Sequence, residues 1–483
     1  MNSEPPRYSR LFPRFNDNTP DDVLKDLANM LRDIDPDIPT PVNNRQDRRR
    51  MPGSCCSGYA YLGQFITHDL SKPRTGSSVI NEEEDINERT ARLDLEQLYG
   101  KGDPSDPPGP RLPLGETLGS PGLPSTDNDL PRDQHGKAQI PDERNDLTLL
   151  IAQLHVLMIK FHNRIVDDLC QGNVPPAQPA DLSLFARAKR LVTWHYQWIV
   201  RYDYLPKLVE PSVLQDILMS SPRLYWPRLG EALIPVEFAW AAFQYGHSAV
   251  QNSYNINPLV HQITALDTFC LGGAGKLNIC QGRKNPRLPQ RYVVEPGRMF
   301  GWAPPGISNV SEEIDTLIPS AFYRLSRKAE TLFTNEEPRT RRPGQSVPEI
   351  TFLRGKQNRL ASGQKACKYS GLPALPLNQL AHTRELAEFL KEHGLHKKTP
   401  LFYYILREAE VAGRASVWGR PCKRLGPLGS RIAAEVILGV LNADRDSFIH
   451  FNWQPPRIRL RSSRTIRIDS LKKLALYASG HAC

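Results

Sequence analysis

Three short stretches hold residue types that can do chemistry together. In Tyr61–Leu70 (YLGQFITHDL), Gln64 and His68 are four apart, so on a helix they share a face. Asp69 then points about 100° away. One face offers an amide and an imidazole, and the next offers a carboxylate. In Phe243–Ser248 (FQYGHS), Gly246 removes a side chain beside the His247 ring, which suits a flat ligand and equally suits tight helix packing. In Pro141–Asp146 (PDERND), Arg144 stands at the entrance of a long helix, where the turn can aim its guanidinium. Each stretch alone has a plainer reading, because a histidine in an apolar helix is usually a core residue. His155 and His162, seven apart on the buried side of that helix, read as structural, with their nitrogens satisfied nearby.

Helices must position these groups. Leu147, Leu150, Ile151, Leu154, Met158, Phe161 and Ile165 recur at steps of three and four, which predicts a helix over 146–168. Asn145 or Asp146 can cap it. Further patterns predict helices over 181–201, ending before Pro206, and over 236–250, with more at 376–393, 400–412 and 430–442 and a short hint at 21–33. Strand patterns are few, and no fixed repeat occurs. Residues 71–89 are polar and acidic, and 101–140 are rich in proline and glycine; loops that long inside a domain are usually functional or disordered. The expected fold is mainly α: one large helical domain over 51–445 with long irregular loops and few short strands. An N-terminal extension (1–50) precedes it, and a basic tail (446–483) packs on it or trails from it.

Composition narrows the function classes. A chain of 483 residues with 39% apolar content can bury a large core, and 43 prolines with 32 glycines lacking a period exclude collagen and coiled coils. No apolar run reaches the roughly 18–20 residues a membrane span needs, and the first residues lack the apolar segment of a secretory leader. No membrane span is therefore expected. The cytoplasm is the favoured compartment, with leaderless export as the alternative. Net charge is 62 − 52 = +10. It concentrates at Arg48, Arg49 and Arg50, and at Arg457, Arg459, Arg461, Arg464 and Arg467, which alternate with Ile458 and Leu460 as an edge strand or extended tail would. Neither cluster accompanies a nucleic-acid motif, so both read as solvated surface and no nucleic-acid partner is expected. The eight cysteines (Cys55, Cys56, Cys170, Cys270, Cys280, Cys367, Cys422, Cys483) form no C-x-x-C and suggest neither a zinc site nor a disulfide scaffold. They read as mostly free thiols.

Joined in order and spacing, the stretches carry a stronger signal. GQFITHDL (63–70), RTARLDLEQLYG (89–100), LPRDQHGKAQIPDERND (130–146), QLHVLMIKFHNRIVDD (153–168), LVTWHYQWIVRYDYLP (191–206), FQYGHS (243–248), FLRGKQNRLASGQ (352–364), LFYYILREAE (401–410) and LGPLGSRIAAEVILGVLNAD (425–444) resemble the animal-type haem peroxidases of the peroxidase–cyclooxygenase superfamily, in particular bacterial and fungal members. The resemblance implies a helical haem-peroxidase domain. It also implies reduction of hydrogen peroxide through a ferryl intermediate, oxidation of small phenol-like donors, and a place in the response to oxidative stress.

The resemblance assigns roles residue by residue. His68 falls on the distal histidine, which takes a proton from peroxide and hands it to the leaving oxygen, work worth about 10²–10⁴-fold. Arg144 falls on the distal arginine, which stabilises charge as the O–O bond breaks. Gln64 falls on the glutamine that holds distal water or anions. His247 falls on the proximal iron ligand, whose second N–H needs an acceptor. The family's asparagine acceptor is replaced here by the shorter Thr351. Arg354 matches an arginine that pairs with a haem propionate, and Gln244 replaces another, which removes one charge-assisted contact. Asp69, Thr90, the Arg92 carbonyl and Asp94 match the family's Ca²⁺ site, with Glu96 where the family has serine or aspartate; an all-oxygen set suits that ion. Where mammalian relatives esterify haem, this chain has Thr67 and Leu147, and Thr148 stands at the sulfonium position. The haem is therefore expected to be b-type and non-covalent, which argues against halide oxidation.

Two other readings share some of these residues. A fatty-acid dioxygenase of the same superfamily needs a tyrosine three residues before the proximal histidine, where this chain has Gln244; Tyr245 is two before. A haem-binding or adhesion protein with little turnover is motivated by Gln244 and Thr351 and opposed by the trio Gln64, His68 and Arg144. The electron donor and the oligomeric state are not written in the sequence.

Overall fold

A computed structural model of the chain describes residues 7–33, 55–73, 86–101, 109–175, 182–271, 287–304, 306–323, 345–414, 424–460 and 462–481. Arg48, Arg49, Arg50, Arg461, Cys280, Cys422 and Cys483 lie outside the described residues, as do parts of the 71–89 and 101–140 segments. The order of helices is α1 (Asp21–Met30), α2 (Gly58–Leu70), α3 (Glu96–Tyr99), α4 (Leu149–Cys170), α5 (Leu184–Ile199), α6 (Leu205–Leu208), α7 (Pro211–Met219), α8 (Val236–Trp240), α9 (Gly246–Ala249), α10 (Ala265–Leu271) and α11 (Pro296–Phe300). Then come α12 (Val347–Gln357), α13 (Gly363–Ser370), α14 (Arg384–Glu392), α15 (Leu401–Arg414), α16 (Pro427–Ala443) and α17 (Leu471–Ala478). Two antiparallel pairs supply the named strands among the described residues: β1 (Ser253–Tyr254) with β2 (Ile263–Thr264), and β3 (Arg457–Arg459) with β4 (Thr465–Arg467). The fold is mainly α, as the sequence pattern predicts.

The central helix is α4. Its apolar stripe is buried at Leu150, Ile151, Leu154, Met158, Phe161 and Ile165, each such side chain stabilising by about 1.5–3 kcal/mol. It packs against α5, α17 and α2; Phe161→Ala would cost about 3–5 kcal/mol. It begins later than the sequence pattern predicts. Thr148, not Asn145 or Asp146, caps it by accepting from the Ile151 N–H at 3.4 Å, because Glu143–Asp146 form a separate 3₁₀ turn. By length and composition α4 is apolar enough to cross a membrane, but 78% of its most apolar stretch is buried in the fold, as in a core helix.

Other boundaries shift for local reasons. The single helix expected over 236–250 is three pieces: α8, a 3₁₀ turn Ala242–Tyr245, and α9. The break falls at Ala241, whose φ of −135° and ψ of −70° leave the helical region, and the Gln244 side chain satisfies the Ala239 carbonyl at 2.7 Å. The 376–393 pattern gives a 3₁₀ turn at Leu377–Gln379 and an α-helix only over α14, capped by Thr383. Helix α1 packs against α12 and buries Leu24, Leu27 and Ala28 in the core. At the other end of the chain, Arg457 and Arg459 lie on a hairpin strand with Ile458 buried between them. The α17 that follows is tied to α4 by Tyr477, whose hydroxyl donates to Asp168 and whose ring lies 4.6 Å below the Arg164 guanidinium.

Candidate active site

Helix α2 carries the first group of candidates. From Ala60 to Leu70 every position is buried except Gln64 and Thr67, which mark the side of the helix that faces open space. Thr67 donates its hydroxyl to the Gly63 carbonyl at 3.0 Å. His68 is 6% exposed, and its Nδ1 lies 2.7 Å from Asn145 Oδ1. The Asn145 amide nitrogen lies 3.0 Å from His155 Nδ1. With the amide donating to His155, its oxygen accepts from His68 Nδ1–H, which leaves His68 Nε2 with the lone pair of a base. Burial first, then the charge of Arg144, pushes the His68 pKa down to about 3, so the ring is neutral at ordinary pH.

Arg144 is placed beside this histidine but is engaged behind it. Its guanidinium donates to Asp142 at 2.9 and 2.7 Å, to the Ser71 carbonyl at 2.8 Å and to the His68 carbonyl at 3.0 Å. Arg89, which the sequence reading missed, donates to the same His68 carbonyl at 3.0 Å, to Glu96 at 2.8 Å and to Asp142 at 2.6 Å. Burial would raise the Asp142 carboxyl, yet Arg144 and Arg89 hold it well below the usual carboxylate range. Asp142 and Asn145 were also missed as functional groups. Both sit in the PDERND turn, where their signal was hidden behind the roles of cap and turn residue.

The same network reaches the acidic loop. Asp69, fully buried, accepts from the Leu95 and Glu96 N–H groups at 3.2 and 2.9 Å. Thr90 donates to Asp94 at 3.0 Å and to Glu96 at 3.2 Å. Burial and the neighbouring Asp94 raise Asp69 well above its ordinary value, and burial, with Glu96 and Asp444 nearby, raises Asp94 to about 6. The Arg92 side chain points elsewhere, 3.6 Å from Asp444 and from Asp446. Crowded buried carboxylates with hydroxyl and carbonyl oxygens are the donor chemistry a hard cation takes. Their oxygens nonetheless turn to hydrogen-bond donors, and among the described residues no three acidic, imidazole or thiol groups are arranged to hold a metal ion.

The second histidine stands on different ground. His247, half-buried, lies on α9, which packs directly against α2. Its ring centre is 5.4 Å from that of Phe322 and 6.0 Å from that of Phe402. Phe402 in turn meets Phe352 of α12 at 5.5 Å, which ties this turn to the helix bearing Thr351 and Arg354. Thr351 is buried and donates its hydroxyl to the Val347 carbonyl at 3.0 Å, leaving oxygen lone pairs to accept. The Arg354 guanidinium lies 5.0 Å from the centre of the Trp240 ring. Tyr245 faces away from the open side, its hydroxyl 2.6 Å from that of Tyr204. A side chain at Gly63 would collide with both hydroxyls, at 2.3 and 2.7 Å, so the glycine is what lets α2 approach this turn. A flat prosthetic group fits what is present: a Cβ at Gly246 would meet no atom within 4 Å, Gln64, Thr67, Gln244 and His247 are part-open, and Leu147 is 43% exposed at the end of the turn packed on α2.

The architecture is that of a helical haem-peroxidase fold, and comparison with known proteins agrees. Residues 60–281 match the family described as animal haem peroxidase. The chain is similar to probable oxidoreductase PXDNL of Homo sapiens, 26% identical over 47% of this chain and 15% of that protein. It is also similar to peroxidase mlt-7 of Caenorhabditis elegans, 28% identical over 37% of this chain and 26% of that protein. It thus spans about a quarter or less of the length of these relatives. Peroxidase A from Dictyostelium discoideum shares the fold with a TM-score of 0.61 at 14% identity, over 92% of this chain and 88% of that one. Oryza sativa fatty acid alpha-dioxygenase shares it at 0.53 and 13%, over 89% and 74%. The likeness to the animal haem peroxidase family thus lies within residues 60–281, and the fold is shared along most of the chain.

Proposed function

We propose that this protein is a peroxidase that binds a non-covalent b-type haem between α2 and α9 and reduces hydrogen peroxide while oxidising small phenol-like donors. The observation that carries the reading is a buried neutral His68, fixed through Nδ1, on a helix packed against the turn that bears His247. Haem, when bound, supplies a redox-active iron at which peroxide is cleaved. His247 would hold the iron through a ring nitrogen, Thr351 would accept from its second nitrogen, and Gly246 would leave space beside it. Arg354 is the cation for a haem propionate, and Gln244 stands where a second cation is lacking. His68 Nε2 takes the first proton of peroxide and returns it to the departing oxygen as water forms. Gln64, one turn earlier, holds the distal water. Arg144 acts from behind, as a fixed charge that keeps His68 neutral and anchors its carbonyl. Neither Thr67 nor Leu147 has a carboxylate with which to esterify haem. Ca²⁺ bound by Asp69, Thr90, the Arg92 carbonyl, Asp94 and Glu96 would neutralise crowded acids next to His68. The dioxygenase reading is disfavoured, because Gln244 stands where its tyrosine is needed and Tyr245 is held by Tyr204.

Protein supplied with haem should show a Soret band and oxidise guaiacol on addition of peroxide; absence of either defeats the proposal. His68→Ala should keep the band and slow peroxide consumption roughly 10²–10⁴-fold. Acid extraction should release the haem. Calorimetric titration should show Ca²⁺ uptake that Asp94→Asn abolishes.

A further inference from the structure

The arginine cluster near the C-terminus has no part in the proposed chemistry, yet the fold gives it a defined surface. In the β3–β4 hairpin Arg457 lies opposite Arg467, and Arg459 is two residues along the same face, about 6–7 Å away. Like charges directly opposite each other on a strand pair are destabilising. Arg467 donates to the Gln454 side-chain oxygen at 3.0 Å, and no carboxylate pairs with Arg457, Arg459 or Arg467 among the described residues. The hairpin face continues into aromatic rings. The Arg467 guanidinium lies 5.8 Å from the centre of Trp198, whose ring is 4.3 Å from that of Tyr202, which carries Arg201 at 5.1 Å. Trp198 also reaches Trp453 at 6.4 Å, then Trp194 at 5.6 Å and Phe451 at 5.0 Å. At the ends of this chain of contacts Tyr202 is 49% and Phe451 47% exposed. Arginines without a carboxylate partner and half-exposed aromatic rings thus adjoin, with Arg467 joining the hairpin register to the rings.

We propose that this face docks the protein on an anionic lipid surface, with the arginines at headgroup phosphates and Tyr202 and Phe451 in the interfacial layer. Amphipathic rings and basic side chains on one face are the chemistry of interfacial binding, and charge complementarity supplies the attraction. A nucleic acid would need free ring faces for base stacking, whereas Trp198 already meets Tyr202, Phe448, Trp453 and Arg467. A purely anionic chain would leave the two exposed rings unused. The proposal does not depend on haem or on turnover.

The test is co-sedimentation of the full chain with phosphatidylcholine vesicles, with and without a third of phosphatidylserine, at low and high salt. Binding is expected to the anionic vesicles and to weaken with salt. Arg457→Glu with Arg459→Glu should weaken it about 25-fold or more, about fivefold for each basic residue lost. Tyr202→Ser with Phe451→Ser should weaken it about tenfold. Arg384→Glu with Lys391→Glu, an equal charge change on α14, should alter it less than about twofold. Failure to pellet with anionic vesicles overturns the proposal. So does equal loss in the α14 control, or tighter binding to heparin or a single-stranded oligonucleotide than to vesicles.

Discussion

The two histidine-bearing sides of the site are built in opposite ways. Behind His68, Arg89, Asp142, Arg144, Asn145 and His155 form one hydrogen-bonded body, with Asp142 and Asn145 fully buried. His247 instead rides on a four-residue helical turn beside phenylalanine rings, with open space over Gly246. A polar network defines its geometry before any ligand arrives, whereas an apolar, roomy turn acquires definition from the ligand itself. Damage on the distal side should therefore appear as lost stability and slower proton transfer, and damage on the proximal side as lost affinity for haem.

The largest effect is expected from His247→Ala. The Soret band should vanish at haem concentrations that saturate the parent protein, while ligand-free stability changes by less than about 1 kcal/mol. Full haem retention would break the contrast between the two sides. Next comes Asp142→Ala, which strands two guanidinium groups; breaking such a buried pair costs about 3–5 kcal/mol, to be read from urea unfolding without haem. A loss below about 1 kcal/mol would mean the network does not organise that side. Asn145→Ala leaves two imidazoles short of a partner and should cost about 1–3 kcal/mol, slowing peroxide reduction roughly tenfold.

Acidification should weaken the distal side, together with His162 and His195, which burial also holds at about 4. Burial holds His68 at about 3 and His155 at about 4, while an unfolded imidazole titrates near 6.5. Between those values the unfolded chain takes up protons that the folded chain refuses. Stability from these groups is therefore full above about pH 6.5 and drains as pH falls toward 4. Urea midpoints should follow that slope, and His155→Gln should flatten it; an unchanged slope would remove His155 from the account. The smallest expected change is Gly246→Ala. Its φ of −54° suits alanine and nothing crowds the new methyl, so ligand-free stability should rise by about 0.4–1 kcal/mol while haem binding weakens.

What the sequence showed depended on how local the determinant was. The apolar steps from Leu150 to Ile165 and the shared face of Gln64 and His68 are set within one helix, and both appear as the pattern predicts. Asn145 was legible only as a cap, because nothing nearby shows that Thr148 takes that role and frees the amide for two histidines. Arg89 was invisible for a related reason: its partners lie 7, 21 and 53 residues away. The continuous helix expected over 236–250 failed at one alanine, where apolar periodicity carries on although the backbone does not.

The wide turn that ends α5 has a wider reach than its length suggests. Val200–Tyr204 form a π-helical turn, closed by the Leu205 N–H on the Val200 carbonyl, just before Pro206, which has no N–H to offer. The one extra residue in that turn lets three neighbours look in three directions. Tyr202 looks out to the aromatic face, Asp203 takes hydrogen bonds from Tyr59 and the Leu471 N–H, and Tyr204 reaches beneath Gly63 to Tyr245. Deleting a residue there would rotate everything downstream by about 100°. The exposed rings, the footing of α17 and the floor under α2 would then fall out of phase together.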